Sequence, residues 1–157
     1  MGWVGILGSA AGILAATLPQ ASAAEAERRL GDSIKAAVPS EEPFGDTIQR
    51  LKDYFAAKRA AFPDRLDLSW ATAFQRRVWS LTQSIPYGET RSYGWLAKEL
   101  GQRGARAVGQ ALARNRLPVI IPCHRVVAGD GALGGYSGGV GVKEWLLRLE
   151  AHRSVKS

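Results

Sequence analysis

The chain has 157 residues, 46% of them apolar, with one cysteine, two histidines and a formal net charge of +7. That length holds one domain or two small ones, and the apolar content excludes a disordered chain. The single cysteine excludes an intramolecular disulfide and, with only two histidines beside it, a cysteine-rich zinc site. Residues 1–69 carry 8 Lys/Arg against 9 Asp/Glu, and residues 70–157 carry 13 against 5. All the excess positive charge therefore sits in the second half, which fits a nucleic-acid or anionic-surface partner or ordinary surface arginine kept for solubility.

Residues 1–24 imitate a secretory signal, with a mild apolar run and a cleavage-like Ala21-Ser22-Ala23. No Lys or Arg precedes Arg28, Gly5, Gly8 and Gly12 interrupt the run, and Pro19 closes it. The pattern predicts two short strands around a turn at 8–12, with a signal peptide as the alternative. No stretch is apolar and long enough to span a membrane, and an unpaired cysteine fits a reducing, intracellular compartment. A helix is predicted over 21–37, acidic early (Glu25, Glu27) and basic later (Arg28, Arg29, Lys35), weakened by Gly31. Residues 38–45 read as a loop. Asp46 or Thr47 then caps a helix with Ile48, Leu51, Tyr54 or Phe55, and Lys58 on its period, closed by Pro63. Residues 63–69 read as a linker.

The second half is punctuated more clearly. Residues 70–83 read as a helix with Phe74, Val78, Trp79 and Leu81 apolar, and Pro86-Tyr87-Gly88 as a turn. Ser92 caps a short helix over 93–100 that stops at Gly101. After a tight turn at 101–104, a second helix runs over 105–114. Ala105, Val108, Ala111 and Leu112 line one face of it; Arg106, Gln110 and Arg114 line the other. Two short helices joined by a glycine turn fit a helix-turn-helix or a plain helical hairpin. Residues 118–121 read as a short apolar strand, 126–128 as extended and 129–141 as a glycine-rich loop carrying Tyr136. The last helix is predicted over 142–152 with Val142, Trp145, Leu146 and Leu149 buried. Glu150 lies at the edge of that stripe, able to reach inward.

Cys123 stands in Ile121-Pro122-Cys123-His124-Arg125-Val126-Val127, beside one of the two histidines and an arginine, both of which favour thiolate. His124 can act as base, and Glu150 can orient and charge-stabilise the imidazole. Neighbours on an extended segment face opposite ways, so a Cys123–His124 relay needs a bridging water or a turn after Pro122. The bland alternatives are a buried inert thiol, a satisfied buried histidine and a solvated surface carboxylate. The glycine-rich loop lacks a phosphate-binding arrangement and reads instead as a flexible wall around a planar ligand, with Tyr136 as lid, or as a wide turn.

The strings at 118–127, 134–139 (Gly-Gly-Tyr-Ser-Gly-Gly) and 143–147 (Lys-Glu-Trp-Leu-Leu) closely resemble the O6-alkylguanine-DNA alkyltransferases, also called methylated-DNA–protein-cysteine methyltransferases. Ser92-Tyr93, Ala105-Arg106-Ala107-Val108-Gly109 and Asn115 match too. The resemblance is dense from about Phe74 to Glu150 and loose before it. It implies an α+β fold. A small ribonuclease-H-like sheet-plus-helix unit over 1–69 would precede a mostly helical, winged helix-turn-helix-like DNA-binding domain over 70–157. It implies repair of duplex DNA by irreversible, single-turnover transfer of an alkyl group from O6-alkylguanine, and from O4-alkylthymine, to Cys123. The damaged base would be flipped from the stack, with the second helix in the minor groove.

The resemblance also distributes roles. Cys123 attacks, Glu150, His124 and a water relay the thiol proton, and Asn115 holds the turn. Tyr93, Val126, Tyr136 and Ser137 form the substrate pocket. Arg106 fills the gap left by the base, and Ala105, Gln110, Arg114 and Arg125 complete the DNA face. No metal or cofactor is implied, the partner is lesion-bearing double-stranded DNA, and the protein is expected to act as a monomer. Its place would be cytoplasmic, on the nucleoid of a bacterium or in the nucleus of a eukaryote. The first half is short for the family's N-terminal domain, so a strand is expected to be missing there. Three rivals remain: a non-catalytic lesion binder, a cysteine hydrolase using Cys123 and His124, and a structural DNA-binding module.

Overall fold

β1 (Ile6–Ser9) and β2 (Gly12–Ala16) form the expected antiparallel hairpin, turning through Ala10 and Ala11. Gly12 has φ 145°, and a Cβ there would stand 2.4 Å from the Arg65 carbonyl oxygen, so only glycine admits the chain that runs alongside. That chain is residues 65–67. The Ile13 N–H donates to Arg65 O (2.9 Å) and the Asp67 N–H to Ile13 O (2.8 Å), a parallel bridge centred on Leu66. The predicted linker over 63–69 is therefore a short third partner for the hairpin. Its corner is closed by the Asp67 carboxylate, which accepts from Ser9 Oγ (2.6 Å) and Ser69 Oγ (2.7 Å).

The computed structural model describes residues 2–31, 37, 44–130, 132–136 and 139–156, the last five by backbone alone. Among them the chain is α+β, with six helices and two two-stranded sheets. It divides into two compact units, Met1–Trp70 with Arg116–Pro118, and Ala71–Asn115 with Val119–Ser157.

In the first unit, α1 (Ala23–Leu30) starts where Ser22 Oγ accepts the Glu25 N–H (3.1 Å) and stops at Gly31, whose φ of 78° is left-handed. The helix predicted over 21–37 is shortened by that glycine; residues 32–36, and most of the loop predicted over 38–45, lie outside the described residues. α2 (Gly45–Phe55) has no side-chain cap. Asp46 and Thr47, expected as caps, fall inside its first turn, where the Thr47 hydroxyl and the Arg50 guanidinium (2.7 Å) both donate to Asp64. Ala57 takes φ 61° and follows the end of the helix, which therefore stops short of Lys58 and of Pro63, expected to close it. Leu7, Ala15 and Leu30 make the small core, with Leu14 against it.

In the second unit, α3 (Ala73–Gln83) begins later than residue 70 because Thr72 and Gln75 form a reciprocal capping box. It buries Val78, Trp79 and Thr82, and the Trp79 indole N–H donates to Ala111 O (3.0 Å). β3 (Arg91–Ser92) leads into α4 (Tyr93–Glu99), capped by Ser92 Oγ on the Trp95 N–H (2.9 Å) and terminated at Gly101, φ 70°. α5 (Arg106–Ala113) follows, burying Val108, Ala111 and Leu112. β4 (Val126–Val127) pairs parallel with β3, Arg91 opposite Val126.

Two expectations fail here. Residues 118–121 are not a strand: Val119 takes φ 72° and the chain turns, with Leu117, Ile120 and Ile121 buried. α6 (Val140–Lys156) starts earlier than predicted and turns a different face inward. Lys143, Leu146 and Glu150 are buried, whereas Trp145 is 44% exposed. Two of those three are charged, so a hydrophobic stripe could not reveal the phase.

Candidate active site

Pro122 breaks the preceding turn, and Cys123–Arg125 form one turn of 3-10 helix, with the Arg125 N–H donating to Pro122 O (2.9 Å). The alternation of an extended strand is thereby lost. Cys123, His124 and Arg125 are all buried; Cys123 meets Asn115, whereas His124 and Arg125 both meet Glu150.

Glu150 is the hub of the site. Its carboxylate, 1% exposed, accepts from His124 Nε2 (2.5 Å), Arg125 Nε (2.8 Å) and Nη2 (3.2 Å), and the Gly88 N–H (3.0 Å). Burial alone would raise its pKa, but His124 and Arg125 together hold it well below the usual carboxylate range, to about 2. An ionised carboxylate only accepts, so Nε2 carries the imidazole hydrogen and Nδ1 the basic lone pair. The His124 pKa is lowered, first by burial, with Arg125 and Lys143 adding to it and Glu150 opposing. His124 is thus a neutral base whose protonated form Glu150 is placed to stabilise.

Arg125 corrects an expectation. It was placed on the DNA face, yet it is 8% exposed and commits its guanidinium to Glu150 and to Ile85 O (2.8 Å). Cys123 corrects another. Burial pushes its thiol up to about 12, so it rests as thiol at neutral pH. The groups that favour thiolate are Asn115 and Lys143, not the neighbouring His124 and Arg125, and burial outweighs them. Asn115 Nδ2 donates to Cys123 Sγ (3.0 Å) and to Ile121 O (3.0 Å), so one amide ties the nucleophile to its turn.

Lys143, in the Lys-Glu-Trp-Leu-Leu string, is buried, which the string alone does not reveal. Nζ donates to Tyr93 OH (3.3 Å) and Gly135 O (3.2 Å), and stands 5.4 Å from the Tyr93 ring centroid. Burial lowers its pKa to about 8 despite the attraction of Cys123. Its spacing with Leu146 and Glu150 was the available signal. The Tyr93 hydroxyl donates to Gly135 O (3.0 Å), and a Cβ on Gly134 (φ 71°) would come within 2.8 Å of its ring. Tyr93 and Tyr136 both have raised pKa values, chiefly from burial and secondly from the Cys123 charge. Val126 is buried, and its N–H donates to Cys123 O. Ser137 lies outside the described residues.

Arg106, Gln110 and Arg114 are exposed on α5, as its polar face predicted, and Ala105 is its half-buried N-cap residue. Gln110 and Arg114 border a groove of about 690 Å³ with Thr72 and Gln75 at the start of α3. A cavity of about 990 Å³ in the first unit is lined by none of the predicted site residues. Among the described residues no cluster of three or more metal-ligating side chains occurs, and no helix is long and apolar enough to cross a membrane.

The family model described as "6-O-methylguanine DNA methyltransferase, DNA binding domain" matches residues 73–152. The methylated-DNA–protein-cysteine methyltransferase of Mycobacterium leprae is 46% identical over 121 residues, which are 76% of this chain and 73% of the relative. The crystal structure of Mycobacterium tuberculosis OGT in complex with DNA superposes with a TM-score of 0.79 at 37% identity, covering 94% of this chain and 86% of that one. The O6-methylguanine-DNA methyltransferase of the archaeon Pyrococcus kodakaraensis gives a TM-score of 0.72 at 27% identity, covering 94% and 90%.

Proposed function

The chain belongs to the methylated-DNA–protein-cysteine methyltransferase family, and from that premise we propose that Cys123 is the acceptor in its repair of alkylated DNA. The protein binds double-stranded DNA and moves an alkyl group from O6-alkylguanine to the thiol; O4-alkylthymine is a second substrate. The observation that carries this reading is the pair of contacts on consecutive residues: Asn115 on Cys123 Sγ at 3.0 Å, and His124 on an ionised Glu150 at 2.5 Å.

The steps follow from those contacts. A thiol near 12 is inert until a base takes its proton. His124 Nδ1 takes it through a bridging water, and the imidazolium is stabilised by the carboxylate on its other nitrogen. The thiolate then displaces the O6 oxygen: the S–C bond forms as the C–O bond breaks. The departing guanine needs one proton, which Tyr93 donates and Lys143 replaces from 3.3 Å away. Each proton lost by the cysteine is matched by one gained by the base, and the product is a thioether. Nothing in the site attacks a thioether, so each molecule acts once.

Arg106 at the first position of α5 fills the space of the flipped base. Ala105 allows close approach to the groove, and Gln110 and Arg114 meet the backbone. Tyr136 walls the pocket, and a backbone group of Val126 receives the guanine. Arg125 has no part in DNA contact on this reading and holds Glu150 instead. The domains are close to the expected 1–69 and 70–157, with Trp70 and Arg116–Pro118 joining the first; the first is a reduced ribonuclease-H-like unit, the second a winged helix-turn-helix carrying β3 and β4 as its wing. The protein works where the genome is, on the nucleoid or in the nucleus.

The test is stoichiometry against salt. Loss of O6-methylguanine from a duplex is expected to stop at one lesion per protein chain. Affinity for undamaged duplex should fall by about 10³ or more between 50 and 200 mM salt if six or more phosphates are met. Repeated turnover, or equal activity on the free base, would refute the reading.

A further inference from the structure

We propose that the Tyr93 hydroxyl latches the glycine-rich loop at Gly135 in the free protein, and that the flipped guanine releases the latch by taking that hydroxyl for itself. This rests on the reading that Tyr93 donates to the departing base. All the groups involved belong to the second unit. Three polar atoms form a closed triangle. Tyr93 OH donates to Gly135 O (3.0 Å), and Lys143 Nζ donates to the same carbonyl (3.2 Å) and to the Tyr93 oxygen (3.3 Å). Tyr93 opens α4, Lys143 lies near the start of α6, and Gly135 lies between β4 and α6, so the triangle ties two helices to the loop. The loop backbone also closes on the ring: with φ 71° at Gly134, a Cβ there would stand 2.8 Å from Tyr93 Cε2 and 3.1 Å from its hydroxyl oxygen. Only glycine admits so close an approach. The adjoining Tyr136 feels the Cys123 charge, as Tyr93 does, so both phenols border the thiol. Cys123 is 6% exposed in this arrangement.

A phenol has one hydrogen to donate. The resting structure places it on Gly135 O, and the reaction needs it on the guanine, so the two bonds exclude each other. The exchange costs little, for two reasons. The Tyr93–Gly135 bond lies at the surface, where water competes for both partners. Lys143 has three N–H donors and already holds the carbonyl, so Gly135 O keeps a partner when Tyr93 lets go. A base that offers Tyr93 an acceptor therefore favours the open loop, whereas a molecule without one waits for spontaneous opening.

The experiment compares wild type with Tyr93→Phe in two reactions at Cys123. The first is methylation by iodomethane, a thiol reagent with no oxygen or nitrogen acceptor, followed by intact-protein mass. The second is single-turnover transfer from a duplex carrying one O6-methylguanine. Burial raises the Tyr93 pKa, so the phenol is un-ionised at neutral pH and the substitution removes a hydrogen bond but no charge. Iodomethane is expected to react about fivefold faster with Tyr93→Phe, the worth of one hydrogen bond. Transfer from the duplex should instead slow about tenfold or more, because the proton donor is gone. A series in low urea separates the latch from unfolding: methylation through local opening stays flat, and methylation through global unfolding climbs steeply. Equal or slower iodomethane rates in Tyr93→Phe, or an acceleration that climbs with urea, would overturn the inference and leave the Tyr93–Gly135 bond as packing. Undiminished transfer by Tyr93→Phe would refute Tyr93 as donor. A wild type methylated by iodomethane but not by the lesion duplex would sink the acceptor reading, and this inference with it.

Discussion

Glu150→Gln is expected to cost about 3–5 kcal/mol of stability and to slow alkyl transfer by about 10² or more. Four donors converge on this carboxylate, two of them from a guanidinium. An amide can accept at only one of its two ends, and its NH₂ would face donors. The Arg125 charge would be left buried without a counter-charge, which is the large cost; the loss of the imidazolium's partner is the kinetic one. The same network sets an acid limit. The folded pKa of Glu150 is depressed to about 2 from an ordinary 4.5, so its contribution is complete above 4.5 and is lost as pH falls through that window. Thermal denaturation from pH 7 to pH 2 should therefore show a steep loss for the wild type and a shallower one for Glu150→Gln. Parallel curves would mean that the carboxylate is less coupled than its contacts indicate.

Cys123→Ala is expected to abolish transfer completely while leaving affinity for the lesion duplex intact. There is no second cysteine to act in its place. The change removes a small buried side chain, and Asn115 keeps Ile121 O as a partner, so the turn should persist. The basic face of α5 is untouched. Gel-shift and transfer assays on one preparation separate the outcomes. Binding without transfer supports the account. Residual transfer would place the nucleophile elsewhere, and loss of both would mean that the thiol is structural.

Local signals were legible wherever one residue determines the geometry. Ser92 capping α4, Gly101 ending it, the hairpin at 6–16 and the polar face of α5 were all readable from short-range chemistry. Cys123, His124, Asn115 and Glu150 stood out through the family resemblance, and the structure pairs Asn115 with Cys123 and His124 with Glu150. What failed depends on partners distant in sequence. Arg125 looked like a surface cation because its carboxylate lies 25 residues on, and the partner of Lys143, Tyr93, lies 50 residues back. The thiol's burial could not be read from its neighbours, so its activation was misjudged. Leu66 was read as linker because a single bridge to Ile13 leaves no periodic trace. Val119 runs against its own propensity, and only the packing around it explains the turn.

The most direct measurement is intact-protein mass spectrometry after mixing with a duplex that contains one O6-methylguanine, followed by peptide mapping. The account predicts a gain of one methyl, located on Cys123 and saturating at one equivalent per chain. No mass change with DNA binding retained, or a methyl on any other residue, would contradict it.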